Sequence, residues 1–248
     1  MNGINYLNEH FSGLKKMKKL HLLTFSALIM IGLSGCKKEK VENIASADVF
    51  VKAIKDAQGA TVYTAIHSVF SYSKMTSVGV HSPASSSVVQ LNNFENGGNS
   101  FFNVPLDADY LPAPPMPGTY TYLVKFKAGE EKSYTNSLST ATLLPANITS
   151  LTRTVNRDSV YISWDAIANV DFYEIKGFKG ETQVFFAQKL YDPSNPKKQN
   201  IRFGFSLTNL PSSFYGTYTF YLSGLLYETT AYDYLQAIST STKEIVLL

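Results

Sequence analysis

Alternation with a period of two is the strongest pattern along the chain. Tyr120, Tyr122, Val124 and Phe126 fall on one side of a strand, with Thr119, Thr121 and Lys125 on the other. Tyr218, Phe220 and Leu222 stand in the same way opposite Thr217, Thr219 and Ser223. One apolar and one polar face mark an antiparallel sheet packed on a core from one side. Turn residues cut these runs short at Asn96-Gly97-Gly98-Asn99, Pro114-Pro115-Met116-Pro117-Gly118 and Asp192-Pro193-Ser194-Asn195-Pro196. Short strands between such signals predict an all-β chain built of antiparallel sandwiches. Helical pattern is confined to the apolar segment before Cys36 and a brief stretch around residues 48–57.

The alternating segments are copies of one another. Gly118-Thr119-Tyr120-Thr121-Tyr122 recurs as Gly216-Thr217-Tyr218-Thr219-Phe220, about one sandwich length of ~100 residues later. Leu111-Pro112 and Leu210-Pro211 precede the two copies, and Leu138-Ser139-Thr140 and Ile238-Ser239-Thr240 follow them. Each copy then ends on an apolar run, Leu143-Leu144 or Ile245-Val246-Leu247. A repeat this long predicts two domains rather than a short-period solenoid. The boundary falls at Pro145-Ala146-Asn147, giving sandwiches at 48–146 and 147–248.

The second copy carries a family pattern. Val160-Tyr161-Ile162-Ser163-Trp164-Asp165-Ala166, then Asp171-Phe172-Tyr173-Glu174-Ile175, then Leu210 and Tyr218-Thr219-Phe220 resemble a fibronectin type III domain. The resemblance implies that Trp164 and Tyr173 are core residues. It also implies that Tyr218 makes a corner bond to nearby backbone, with Leu210 beneath it. Leu210 and Tyr218 stand further apart than is usual in that family. The first copy shares the Leu…Tyr half of the pattern but has no Ser-Trp-Asp strand, and is read as immunoglobulin-like. The expected fold is thus two tandem antiparallel β-sandwiches after an N-terminal signal helix.

The N-terminal segment reads as an address. Lys15-Lys16-Met17-Lys18-Lys19 precedes the apolar residues 20–35 and then Cys36, the order of a secretory signal. The apolar stretch is shorter than the ~20 residues a membrane-spanning helix needs. Translation starts at Met1 or at Met17, and the second choice makes residues 1–16 an upstream extension. Leu33-Ser34-Gly35-Cys36 resembles the lipobox of bacterial lipoproteins. That resemblance implies cleavage after residue 35 and acylation of Cys36 on both sulfur and amine, with palmitate-like chains. Several chains at ~0.8 kcal/mol per buried methylene anchor a protein firmly to a membrane, where one is marginal. Residues 36–47, with Lys37-Lys38-Glu39-Lys40, read as a charged tether. Lys37 is not the Asp that retains lipoproteins in the inner membrane, so the resemblance implies the outer membrane, facing either the periplasm or the outside.

Composition narrows the function. Charged residues make up 17% and aromatics 13% of the chain, which excludes a disordered chain. The formal charge of +3 comes from Lys15, Lys16, Lys18 and Lys19, set against Glu9 alone. Without residues 1–35 acids and bases balance, so nucleic acid is not an expected partner. Cys36 is the only cysteine, so neither a disulfide within one chain nor a thiolate metal site can form.

Catalytic chemistry is sparse. After residue 35 only His67 and His81 remain, and His67 sits in an alternating run where a satisfied histidine is expected. There is no Gly-x-Ser-x-Gly elbow, His-Glu-x-x-His pair or phosphate-cradling glycine loop. Asp107-Ala108-Asp109 has carboxylates at calcium-like spacing, but reads as a solvated loop. The expectation is therefore no catalytic residue, no metal and no cofactor.

Aromatics beyond those the cores need are Tyr191, Phe214, Tyr215, Tyr221, Tyr227, Tyr232 and Tyr234. Tyrosine offers flat contact area with a polar tip. Tyr215, Tyr227, Tyr232 and Tyr234 fall near turns or strand ends and are the candidate ligand-binding residues, the alternative being that Tyr221 and Tyr227 are ordinary sheet residues and Tyr232 or Tyr234 core. The leading functional expectation is an envelope lipoprotein, held to the membrane through Cys36, acting in non-catalytic binding of a carbohydrate or envelope protein, or as a spacer. In it the tether and first sandwich project the second away from the lipid. An adhesin-like subunit assembling through sheet edges is the alternative. An enzyme with an unrecognised site is the third reading, which a buried cluster of polar side chains would favour.

Overall fold

The sides that alternation makes apolar, Tyr120 to Phe126 and Tyr218 to Leu222, are buried. The computed structural model describes residues 42–248 except 84, 86, 95–96, 154–158, 193, 195–196, 205–215, 229–233 and 248. In the first half, β1 (Ala45–Lys55), β2 (Thr61–Ser71), β6 (Ser100–Phe102) and β5 (Asn92–Asn93) lie side by side in that order. Facing them is the sheet β4 (Val88–Gln90), β3 (Met75–His81), β7 (Gly118–Phe126) and β8 (Glu131–Leu138). In the second half, β9 (Ile148–Arg153), β10 (Ser159–Asp165) and β13 (Lys198–Gly204) form one sheet. The other runs β12 (Thr182–Leu190), β11 (Phe172–Lys179), β14 (Gly216–Tyr227) and β15 (Leu235–Leu247).

Both halves have the immunoglobulin-type arrangement: β1, β2 and β6 oppose β3, β7 and β8, and β9, β10 and β13 oppose β11, β14 and β15. The chain is all-β with tandem sandwiches. The halves are also joined: β15 pairs in parallel with β1, from Val51 opposite Ala237 to Ile54 opposite Thr240. One eight-stranded sheet therefore runs through both, β12-β11-β14-β15-β1-β2-β6-β5. Residues 42–248 form one compact unit.

The helical pattern around residues 48–57 is overturned, because those residues lie in β1 and its turn. Ala45, Ala47, Val49, Val51 and Ala53 are buried with strict alternation. With β2 on one side and β15 on the other, β1 is an interior strand whose outward face is also partly covered. Apolar residues on both faces blur the period that sequence inspection relies on. β1 also begins inside the stretch read as tether. Its start is held by β8, where the Tyr134 hydroxyl accepts the Ala45 N–H at 3.1 Å and Lys132 Nζ donates to the Asn43 carbonyl at 2.8 Å.

The cores match the residue types expected of them. Trp164 is fully buried, its ring centroid 5.1 Å from that of Tyr173 in an edge-on contact. The Tyr173 hydroxyl accepts the Ile167 N–H at 2.9 Å. Gly224 lets this layer close, since a Cβ there would sit 2.7 Å from Ile167 Cδ1. The corner bond expected of Tyr218 is described in the first sandwich, where Tyr120 Oη donates to the Met116 carbonyl at 3.0 Å. Tyr218 itself is buried, while Leu210 lies outside the described residues.

Candidate functional site

Of the sequence-predicted site residues, Tyr227 and Tyr234 are described, and Cys36, Tyr215 and Tyr232 lie outside the described residues. Tyr227 ends β14 opposite Leu235. Its N–H donates to Asp171 Oδ2 at 2.9 Å, and its ring meets Phe172 edge-on at 5.9 Å. Burial raises the pKa of its hydroxyl above the usual phenol range, reinforced by the carboxylates of Glu174 and Asp171. Tyr234 is 39% exposed, its hydroxyl 3.3 Å from Ser46 Oγ, and its carbonyl accepts the Glu228 N–H at 2.9 Å. Two ladder strands and these backbone bonds hold the pair at one end of the β14–β15 hairpin. Ser46 belongs to β1, so Tyr234 sits beside the point where the chain enters the sheet. The expectation that the first sandwich lifts the second away from the tether is revised accordingly, because the halves lie edge to edge through β1 and β15.

Carboxylates gather at the same seam. Burial and the neighbouring Glu228 push Asp48 up to about 6, and burial also raises Glu228. Further along, two clefts adjoin, the narrower on the outer face of the joined sheet and the wider at the edge of β15. The wider, about 700 Å³, lies where β1 stops and β15 continues, and includes Lys52, Lys55, Tyr110, Tyr221 and Lys243. The narrower, about 470 Å³, includes Glu174, Lys176, Phe178 and Glu181. Tyr221 and Thr240 line both. Sequence reading treated Tyr221 as an ordinary strand residue. The signal was present, since it occupies the outward face of β14 among Thr217, Thr219 and Ser223, where a large ring serves no core.

A buried polar cluster is also present. His67 on β2 and Tyr122 on β7 meet between the sheets of the first sandwich, with His67 Nδ1 3.0 Å from the Tyr122 hydroxyl. That hydroxyl donates to the Asp48 carbonyl at 3.0 Å, so its one proton is committed and His67 Nδ1 must be the donor. Burial depresses His67 to about 4 and raises Tyr122 far above the phenol range. Tyr122 stands two residues after the corner tyrosine, on the strand whose cysteine forms the inter-sheet disulfide of antibody domains. Here a hydrogen bond links the sheets at that place. The geometry accounts for these groups as a structural link.

Asp109 Oδ2 accepts the Leu106 N–H at 2.7 Å and stabilises a short 3₁₀ turn at Asp107–Asp109. Among the described residues no group of three or more His, Cys, Asp or Glu gathers to hold a metal ion.

No known family's sequence profile matches the chain, and no curated protein matches it. Solved structures overlap it weakly. A chain of a cytokine receptor complex aligns at 13% identity and TM-score 0.30, over 80% of this chain and 95% of that one. A tetra-tandem repeat from the extending region of a large adhesion protein aligns at 16% identity and TM-score 0.31, over 82% of this chain and 50% of that one. The FN1–FN3 domains of chicken CNTN1 align at 11% identity and TM-score 0.29, over 80% and 65%. The fold assignment therefore rests on strand order and register.

Proposed function

We propose that this chain is an outer-membrane lipoprotein, anchored through Cys36, that recognises a carbohydrate or envelope protein without catalysis. The observation that carries the binding reading is the placement of large rings outside the cores. Tyr221 and Tyr234 are both a little over a third exposed, the first held in the β14 ladder and against Phe178, the second by its backbone bond to Glu228 and its hydroxyl beside Ser46. Rigid tyrosines present contact area at low entropic cost. Tyr227 is the less accessible partner and positions the hairpin that carries Tyr234. A glycan array run beside a pull-down from envelope extract tests the reading. Tyr234→Ala should weaken the captured ligand about tenfold while leaving the unfolding midpoint in place. Equal retention by wild type and by Tyr221→Ala and Tyr234→Ala variants would leave only the spacer role.

The assembly alternative would use β12, the free edge of the joined sheet, where Val184, Phe186 and Leu190 are exposed. That edge is guarded. The register slips between Gly177 and Phe178, leaving Val184 as an extra residue, and a bulge on an edge strand discourages strand addition.

A further inference from the structure

We infer that the paired clefts at the place where β1 stops and β15 runs on bind a polysaccharide bearing carboxylate or sulfate groups, with Tyr221 as its stacking platform. The inference rests on the binding reading above and adds a ligand class and a second location. Three features of the clefts point to it.

The first is shape. Two clefts of about 700 and 470 Å³ share Tyr221 and Thr240 as a common wall, so the trough suits a chain of several units better than one small molecule. The second is the lining. Thr240 and Thr242 from β15 and Ser223 from β14 place hydroxyl groups along the trough, beside the Tyr110 and Tyr221 rings, while Ser241 turns inward and donates to the Ala146 carbonyl at 2.6 Å. Tyr221 is 38% exposed and braced edge-on by Phe178, with centroids 5.5 Å apart and planes at 85°. A braced ring among hydroxyls suits a sugar, whose C–H face stacks while its hydroxyls hydrogen-bond.

The third feature is charge. The wider cleft carries Lys52, Lys55 and Lys243 against a single carboxylate, Asp107. Among the described residues none of these lysines forms an ion pair. Lys55 Nζ donates to the Gly59 carbonyl at 3.1 Å and Lys243 Nζ to the Ile148 carbonyl at 3.0 Å, which orients both ammonium groups without neutralising them. At the narrower end Lys176 bridges to Glu174, and Glu181 leaves that end with an excess of negative charge. The positive potential is therefore confined to one end of the trough, where an anionic substituent is attracted and a neutral sugar gains nothing. The site arises only because β1 stops while β15 runs on, so neither half could form it alone.

The test measures binding of three probes to the full chain by calorimetry: an oligogalacturonate, a carrageenan oligosaccharide and a neutral cello-oligosaccharide of matched length. One or both charged probes should bind more tightly than the neutral one and weaken as salt rises; which binds identifies the anionic group. Lys52→Gln/Lys55→Gln should weaken the charged probe about fivefold and flatten its salt dependence, and Tyr221→Ala should weaken it about tenfold. Thermal midpoints of the variants, checked first, exclude misfolding as the cause. Charged probes binding no better than the neutral one, or binding undiminished by these substitutions, would overturn the inference. Ligand capture lost on Tyr234→Ala but kept on Tyr221→Ala would leave the hairpin reading standing while this site falls.

Discussion

Trp164 and His67 show how the same burial gives different chemistry to two kinds of side chain. Trp164 fills its layer against Tyr173 with no exposed surface. Trp164→Ala should therefore lose ~3–5 kcal/mol, read as a shift of the denaturant midpoint at constant slope. His67 is held neutral, its pKa depressed to about 4 from the ordinary 6.5. The unfolded chain takes up that proton first, so acidification from pH 6.5 towards 4 destabilises the fold through His67. Asp48 acts in the opposite sense. Its pKa is raised from 3.8 to about 6, so the folded chain holds the proton more tightly, and its contribution is lost as pH rises through 6. The raised pKa of Glu228 acts in the same direction as that of Asp48. Wild type should thus show a shallow pH profile between 4 and 6.5. Asp48→Asn should steepen the acid-side loss, and His67→Gln should reverse its slope, both measured as unfolding midpoints across that range. A lone Asp48→Asn profile parallel to wild type would show that Asp48 titrates as an ordinary exposed acid.

At the scale of elements, β1 decides the architecture. Its ladder to β2 covers its whole length, from Ala45 opposite Ser71 to Lys55 opposite Thr61, while its ladder to β15 spans Val51 to Ile54. Antiparallel neighbours could be expected from alternation alone. The parallel contact could not, because it joins the first strand of one repeat to the last strand of the other, and no local signal encodes a pairing at such separation. Its consequence is measurable. An isolated 147–248 fragment is expected to unfold cooperatively, but at a lower temperature than the full chain, since β15 loses its neighbour and Ala237 and Ser239, both fully buried, lose cover. Scanning calorimetry of fragment and full chain compares them. A fragment as stable as the full chain would mean that the joining ladder adds nothing, and one without a transition would mean a single merged core.

At the scale of the molecule, the neutral body and the N-terminal address complement each other. The body carries no net charge to hold it on anionic lipid, and the proposed attachment is through acyl chains on Cys36. Cys36→Ser should move the protein from the membrane fraction to the soluble fraction after cell breakage. Retention in the membrane fraction at the wild-type level would reject the anchor. Ser46 touching Tyr234 places the hairpin aromatics beside the chain's entry into the sheet, so a lipid-anchored form would carry them near the tether.

Periodicity, repeats and turn residues determined the all-β class, the core roles of Trp164 and Tyr173 and the two-copy plan, because each is written in neighbouring residues. A tyrosine corner is described at Tyr120, which the sequence pattern had not marked, while the bond expected of Tyr218 is not among those described. Two rings at the hairpin were singled out correctly as lying near a turn, but their contacts with Asp171 and Ser46 were not. What only the tertiary structure decided is whatever depends on residues from distant strands meeting. The strand identity of β1, the His67–Tyr122 link and the trough around Tyr221 all arise that way. Phe50 and Ile54 interrupt the polar face of β1 between Ser46, Asp48 and Lys52, a hydrogen bond between sheets leaves no mark in either strand's pattern, and a groove belongs to the edge where two repeats are paired.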